Sequence, residues 1–189
     1  IKECDWSSDV CSSDLYVSPT QSNAQVPVEA LNSGLPLIVT STSGASSAVN
    51  TPVAAYAPAI FSTPAGPVVF LANGSLVSAT NPATAGDTIN VIATGLGQTT
   101  PALATGQITP ADQAYTTAPV TAKIGNVSAA VTASVAIPGL SGVYQVTLKV
   151  PAGITAGTAK LQLQMPSSAI ALFGGPNYSA SNSVDLAVK

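Results

Sequence analysis

The residue types that most often carry chemistry are few in this sequence and widely spaced. Its 189 residues include no His and only two Cys, Cys4 and Cys11, near the start of the chain. A Ser or Thr nucleophile needs a base beside it, and without His that base would have to be Lys. A Ser–Lys pair is conceivable, but Lys123, Lys149 and Lys160 fall on the predicted outward faces of strands. The residue types therefore favour a protein that is not an enzyme.

The acidic residues beyond the first fifteen positions are equally dispersed. A two-carboxylate glycosidase needs acids about 5–10 Å apart in a cleft, whereas Glu29, Asp87, Asp112 and Asp185 fall in separate turns and strand edges. Calcium could use Asp87 or Asp112 with loop carbonyls, but no Asp-x-Asp cluster is present. Zinc lacks Cys and His ligands in this part of the chain. We expect surface acids, no metal and no cofactor.

Residues 1–15 differ in composition from the rest of the chain. They hold both cysteines, Trp6 and four of the eight acids. The eleven residues 5–15 resemble the conceptual translation of a short-read sequencing adapter. We therefore interpret 1–15 as an artefact without native structure, and the start at Ile1 as the edge of a fragment. The alternative is a Cys4–Cys11 redox or metal pair.

From residue 16 onward, the chain carries four Lys and four acids and is therefore neutral. Nucleic-acid binding requires clustered Lys and Arg, so we expect no nucleic-acid partner and no acidic-lipid surface. The most apolar stretch, 52–72, is interrupted by Pro58, Pro64 and Pro67, and we expect no membrane span.

The elements that would position any site are predicted to be strands. The clearest is 142–151, where Tyr144, Val146, Leu148 and Val150 alternate with polar residues at the period of two that a half-buried strand requires. Tight turns are predicted at Asn73-Gly74 and Gly125-Asn126. Further strands are predicted at about 16–27, 35–42, 48–55, 87–94, 119–124, 127–136, 158–165 and 183–188. The same alternation places Leu161, Leu163 and Met165 on one face of 158–165, and Val184, Leu186 and Val188 on one face of 183–188.

The strand pattern is repeated within the chain. Val26-Pro27, Gly34 and Pro36–Thr40, with a later Ser-rich strand entry, mirror a second set of residues further along the chain, and the offset is 124 positions where Val26 corresponds to Val150. The counterparts are Val150-Pro151, Gly157, Ala159–Leu163 and Ser181–Val184.

The fold class is therefore predicted as all-β, an Ig-like antiparallel β-sandwich. Residues 16–60 would be the C-terminal half of one module and 61–189 a complete module. Such a half-module would expose strand edges that favour self-association.

A family resemblance rests on four segments: Tyr16–Pro27, Ala93–Gly97, Thr117–Thr121 and Gly142–Pro151. They resemble the uncharacterised C-terminal domain of large secreted proteins of Solibacter-type acidobacteria. The ending from Val150 to Val184 is also similar to IPT/TIG modules. The resemblance implies an exported Ig-like module and no catalytic residue. The chain departs from the family pattern at 166–182, where a brief turn is usual.

Two long connections, 97–118 and 166–182, are candidate binding loops because they exceed ordinary hairpin lengths. Leu172, Phe173, Tyr178 and Tyr115 are the candidate contact residues, since aromatic rings suit sugar stacking or a neighbouring module. Alternatively, Leu172 and Phe173 fold back over the end of the sandwich. Tyr144 is either a core aromatic or a tyrosine-corner residue bonded to 138–142.

These observations predict a non-catalytic Ig-like module that serves as a structural or adhesive spacer in a secreted or surface bacterial protein. Its partners would be neighbouring Ig-like modules, or a glycan or protein of the surface. The alternative is a carbohydrate-binding accessory module of a secreted hydrolase. Either protein would be extracellular or attached to the cell surface.

Overall fold

The computed structural model describes residues 14–27, 34–41, 44–166 and 178–189. In these residues all regular secondary structure is strand, and all ladders between the strands named below are antiparallel. The predicted all-β class is confirmed. None of the described residues forms a helix of the length and apolarity needed to cross a membrane. The chain divides into a smaller unit, Ile1–Ala55 with Ala104–Gln107, and a larger unit, Tyr56–Leu103 with Ile108–Lys189.

The smaller unit consists of short hairpins. Strand β1 (Asp14–Val17) pairs with β2 (Ser22–Ala24), so the last two residues of the suspected artefact lie in a strand. The prediction of one continuous strand over 16–27 is wrong. The backbone N–H of Ser18 donates to the carbonyl of Gln21 at 2.7 Å, and this turn reverses the chain.

The rest of the smaller unit is a pair of ladders, one inside the other, which we call the nested ladder. Its outer ladder joins β3 (Gly34–Leu37) to β6 (Val49–Pro52). Its inner ladder joins β4 (Thr40–Ser41) to β5 (Gly44–Ala45). The predicted strands at 35–42 and 48–55 are thus present in shorter form.

The larger unit is built around one nine-stranded sheet in the order β10-β11-β14-β13-β12-β15-β16, with β7 on β11 and β17 on β15. Two further short strands, β8 and β9, form a separate hairpin. The strands of the larger unit are β7 (Ala59–Ile60), β8 (Ser62–Thr63), β9 (Gly66–Pro67), β10 (Val69–Leu71), β11 (Thr88–Thr94), β12 (Thr121–Ile124), β13 (Val127–Ala136), β14 (Val143–Lys149), β15 (Gly157–Pro166), β16 (Tyr178–Ala180) and β17 (Val184–Val188).

Strand β13 connects the two halves of this sheet. Its first residues pair with β12 across the predicted turn at Gly125-Asn126, and from Ala130 onward it pairs with β14. The register shifts between Val131 and Ala133, so Thr132 is an extra residue that increases the local twist. The long strand therefore turns the sheet from one half into the other.

Contacts between the two ends of the sheet leave it nearly closed. The side-chain amide of Asn182 accepts from the Ile60 N–H at 2.7 Å and donates to the Ile60 carbonyl at 3.1 Å. On the same side, Ala83 forms a parallel bridge with Val188 in β17. The edge beside β7 is thus held to the connection between β16 and β17.

Alternation of apolar and polar residues places one aliphatic core inside the larger unit. The predicted inward faces of β14, β15 and β17 are confirmed, with Leu148, Leu161 and Leu186 fully buried. Burial of each such side chain contributes about 1.5–3 kcal/mol to the free energy of unfolding. The core also contains Ile89 and Val91 of β11.

The hairpin that follows β10 differs from its prediction. The Gly74 N–H donates to the Leu71 carbonyl at 2.9 Å, so Ala72 and Asn73 are the central turn residues. The predicted type I′ turn centred on Asn73-Gly74 is therefore wrong. Gly74, at φ 82°, follows the turn in the manner of a three-residue loop with a bulge. The Asn73 side chain accepts from the Ser75 N–H at 3.0 Å and fixes this turn.

Candidate functional site

Asp87, Asp112 and Asp185 each take part in a local structural contact. Asp87 accepts the Thr84 N–H at 2.7 Å across a turn, and Asp185 forms an exposed ion pair with Lys160 at 2.6 Å. Within the described ranges, no group of three or more His, Cys, Asp or Glu could hold a metal ion. Glu29 lies outside the described residues.

The two predicted contact residues that the structure describes, Tyr178 and Tyr115, differ in exposure. Tyr178 is 41% exposed in β16, opposite Pro166 of β15. Tyr115 is buried in the core, and its hydroxyl donates to Asp112 Oδ1 at 3.3 Å. Leu172 and Phe173 lie outside the described residues. Among the described candidates, Tyr178 presents an exposed aromatic ring and Tyr115 does not.

The long connection 97–118 is tied to the larger unit by backbone hydrogen bonds. Thr100 and Thr116 exchange N–H···O bonds of 2.8 and 3.0 Å, and Thr116 also bridges Val135 of β13. Thr109 is buried, and its N–H donates to the Leu140 carbonyl at 3.0 Å. A binding role for this connection stays a prediction.

Tyr144 combines a buried ring with a hydrogen-bonded hydroxyl. The hydroxyl donates to the Gly97 carbonyl at 2.6 Å, so the predicted bond to residues 138–142 is wrong, while the core-aromatic alternative is confirmed. Burial raises the pKa of Tyr144 above its ordinary value of 10.0, because the charged phenolate would be poorly solvated. The hydroxyl therefore anchors the segment that follows β11.

A serine in the nested ladder makes a compact set of hydrogen bonds. The Ser46 N–H donates to the Val39 carbonyl at 2.9 Å, and the Val39 N–H donates to Ser46 Oγ at 3.0 Å. The Ser46 hydroxyl then donates to the Ser47 carbonyl at 3.1 Å. We call this arrangement, in which a serine bonds both backbone groups of one facing residue, a serine clasp.

The larger unit contains the same serine clasp. The Ser181 N–H donates to the Leu163 carbonyl at 2.9 Å, and the Leu163 N–H donates to Ser181 Oγ at 2.9 Å. The Ser181 hydroxyl donates to the Asn182 carbonyl at 2.8 Å. Here too the clasp lies between an outer ladder, β15 with β17, and an inner ladder, β15 with β16.

The clasps align the nested ladder with the closing strands of the larger unit. The pair Leu37↔Val49 corresponds to Leu161↔Val184. Leu37 and Leu161 are separated by 124 positions, the offset of the sequence repeat, whereas Val49 and Val184 are separated by 135, because the connection between the paired strands is eleven residues longer in the larger unit. The repeat inferred from the sequence therefore has a structural counterpart in these strands.

The two copies differ in what covers their apolar faces. In the larger unit, Leu161 and Leu163 are fully buried and Val184 is 7% exposed. In the smaller unit, the corresponding exposed fractions are 54% for Leu37, 55% for Val39 and 61% for Val49. We call these three residues the open face. Leu37 and Val39 are two residues apart and share one side of an extended strand, but the sequence, with the apolar Ile38 between them, does not show that this side is uncovered.

A cleft lined by both polar and apolar side chains opens where β12 and β13 separate, and sequence reasoning missed it. Pairing ends at Ala122↔Ala129, after which β13 turns to β14. The resulting cleft, which we call the β12–β13 cleft, has a volume of about 460 Å³ and no acidic side chain in its lining. Its polar lining residues are Thr121, Lys123, Ser128 and Gln164.

The cleft lies near the exposed candidate aromatic. Gln164 lies opposite Ala180, two residues along β16 from Tyr178. The cleft opens where β13 changes its pairing partner from β12 to β14. The sequence gives no local sign of this change, because the alternating pattern of β13 continues through it.

Comparison with known proteins gives no relative. No protein-family model, curated protein or solved structure matches this chain. The functional inference therefore depends on the contacts described above.

Proposed function

We propose that this chain belongs to a tandem array of non-catalytic Ig-like modules and serves as a structural or adhesive spacer in a large secreted or surface bacterial protein. The observation that carries this proposal is the duplicated pair of ladders with its serine clasp. Two copies of one closing segment in a single chain are what a tandem array contains, and each repeat unit of such an array buries its own core.

The core of the larger unit supports a sandwich architecture for the proposed module. One half of the sheet contributes Val146 and Leu148, and the other contributes Leu161 and Leu163, all to a single buried cluster. Apolar inner faces from two half-sheets are typical of sandwiches. The outer surface carries few charges, which suits contact with neighbouring modules or with a glycan or protein of the surface.

The proposed extracellular location rests on the resemblance to the acidobacterial secreted domain. Sequencing the genomic locus with long reads tests both location and function. We expect an export signal and further segments that pair a nested-ladder sequence with a serine at the clasp position. An open reading frame that instead encodes a cytoplasmic enzyme around residues 16–189 would overturn the spacer proposal.

A second candidate is a carbohydrate-binding accessory module, and the β12–β13 cleft favours it. Hydroxyl, amide and ammonium groups line the cleft beside Val120 and Val131, and sugars present both hydroxyls and apolar C–H faces. Volumes of about 300–1,000 Å³ are usual for ligand sites. In the long-read test, a hydrolase encoded in the same reading frame would favour this candidate over the spacer.

Affinity electrophoresis in gels containing neutral or acidic polysaccharides tests the cleft directly. If it binds sugar, Lys123→Gln and Tyr178→Ala should each weaken retention about tenfold or more, because each removes one contact worth roughly 1–3 kcal/mol. Lys149→Gln makes the same charge change on an exposed residue of β14 and should not alter retention. Equal retention of all variants, or no retention of the parent chain, would exclude the cleft.

A further inference from the structure

The open face has the composition of a module's inner surface. Leu37, Val39 and Val49 align with Leu161, Leu163 and Val184, which all lie in the buried cluster of the larger unit. In an ordinary monomeric domain, such residues would be covered, because removing apolar side chains from water stabilises the folded state. The open face is therefore a surface for which a complementary partner is expected.

In the larger unit, the residues that align with the open face share a buried cluster. Leu161, Leu163 and Val184 belong to one cluster with residues from the strands that precede β15 in the chain. Those residues are apolar, and they include Ile89 and Val91 from β11 and Val146 and Leu148 from β14.

Charge is also compatible with this kind of partner. Residues 34–52 contain no charged side chain, and the inner faces of β11 and β14 are aliphatic, apart from Tyr144. Burial of the open face against such a half-sheet would leave no ionised group unpaired.

We propose that the open face binds the opening half of another module of this kind, an antiparallel half-sheet like residues 56–150 of this chain. The partner is thus defined by chemistry, an uncharged aliphatic inner face that complements a nested ladder with its serine clasp. The inference rests on the proposed tandem-module function and names the partner of the smaller unit.

The test joins a second copy of residues 56–150 directly to Pro27, which corresponds to Pro151, and leaves residues 27–189 unchanged. Hydrogen–deuterium exchange is then compared between the extended and the original chain. We expect the amides of Leu37 and Val39 to become protected by on the order of a hundredfold, because complete modules open only with their cores. The larger unit, present in both chains, reports whether the extended chain folds.

A matched pair of substitutions tests whether the open face is the surface that binds the added half-sheet. Val39→Asp should abolish the new protection, whereas Ile38→Asp should preserve it, because Ile38 aligns with Gln162 on the opposite side of the strand. Unchanged exchange at Leu37 and Val39 in an extended chain whose larger unit is folded would overturn the proposal. Equal effects of the two substitutions would also overturn it.

A second copy of the chain is the competing occupant. Light scattering that shows a dimer of the original chain, dissociated by Val39→Asp but not by Ile38→Asp, would assign the face to self-association and overturn the half-module partner. Suppose that long reads reveal tandem modules but that exchange at Leu37 and Val39 is unchanged in the extended chain. The proposed half-sheet partner would then be overturned, and the proposed spacer function would still stand.

Discussion

At the scale of single residues, Tyr144 shows how one side chain can serve both packing and anchoring. Its ring belongs to the aliphatic core, and its hydroxyl reaches the Gly97 carbonyl at 2.6 Å. Between β11 and that carbonyl, Gly95 has φ 73°, and an added Cβ would lie 1.9 Å from the Ala57 carbonyl oxygen. This position requires glycine both for its φ and for the close approach to Ala57.

Tyr144→Phe should lower the free energy of unfolding by about 1–1.5 kcal/mol, because the variant loses one buried hydrogen bond. Urea denaturation followed by circular dichroism measures this loss. Tyr115→Phe is the control: its hydroxyl makes a longer bond, 3.3 Å, to Asp112, so a smaller effect is expected. An equal or larger loss in Tyr115→Phe would contradict the role given to the Gly97 contact.

The same residue predicts a pH dependence at alkaline pH. Because burial raises the folded-state pKa of Tyr144 above its ordinary value of 10.0, the folded state retains a proton that the unfolded state releases. The contribution of the protonated Tyr144 hydroxyl to the free energy of unfolding is therefore fully present below pH 10. It is lost as pH rises through the folded-state pKa. Tyr144→Phe should make the decline of stability above pH 10 shallower, and an unchanged slope would count against burial of the phenol.

At the scale of elements, the serine clasp explains how one long strand serves two partners. Residues 157–161 of β15 pair with β17, and residues 164–166 pair with β16. Between these ladders, Ser181 satisfies both backbone groups of Leu163. Without it, the buried Leu163 N–H would lose its acceptor at the point where one partner strand gives way to the next.

Ser181→Ala should destabilise the larger unit by about 1–3 kcal/mol, because it leaves a buried N–H without an acceptor. Ser46→Ala removes the same bond in the smaller unit, where Val39 is 55% exposed and water can replace the lost oxygen. It should cost only a few tenths of a kcal/mol. Thermal denaturation of both variants compares the two clasps, and a similar shift for each would show that burial does not set the cost.

At the scale of the whole molecule, the chain combines one unit with a complete core and one unit with an exposed apolar face. In the larger unit the sheet is brought close to closure by the Asn182 amide, which mimics a strand neighbour for Ile60. In the smaller unit the nested ladder repeats the same closing strands, while Leu37, Val39 and Val49 stay more than half exposed. The difference between the two copies is the physical basis for proposing a missing complementary half-sheet.

The all-β class, the inward faces of the strands and the repeat can all be predicted from the amino-acid sequence. These features follow from local spacing, since successive side chains of a strand point to opposite faces whatever the strand pairs with. Thus Val146, Leu148, Leu161 and Leu163 were assigned to the core from their alternation alone, and the burial of each is confirmed.

The pairing partners of each strand, in contrast, are visible in the tertiary structure and not in the sequence. The switch of β13 from β12 to β14, the choice of Gly97 by the Tyr144 hydroxyl, and the cleft beside Lys123 all depend on pairings between distant segments. Alternating patterns before and after such a switch look alike, because the period of a strand carries no information about its neighbour. For the same reason, the sequence around Leu37 and Val39 predicts a strand but not what covers it, and the fold alone shows that both side chains are exposed.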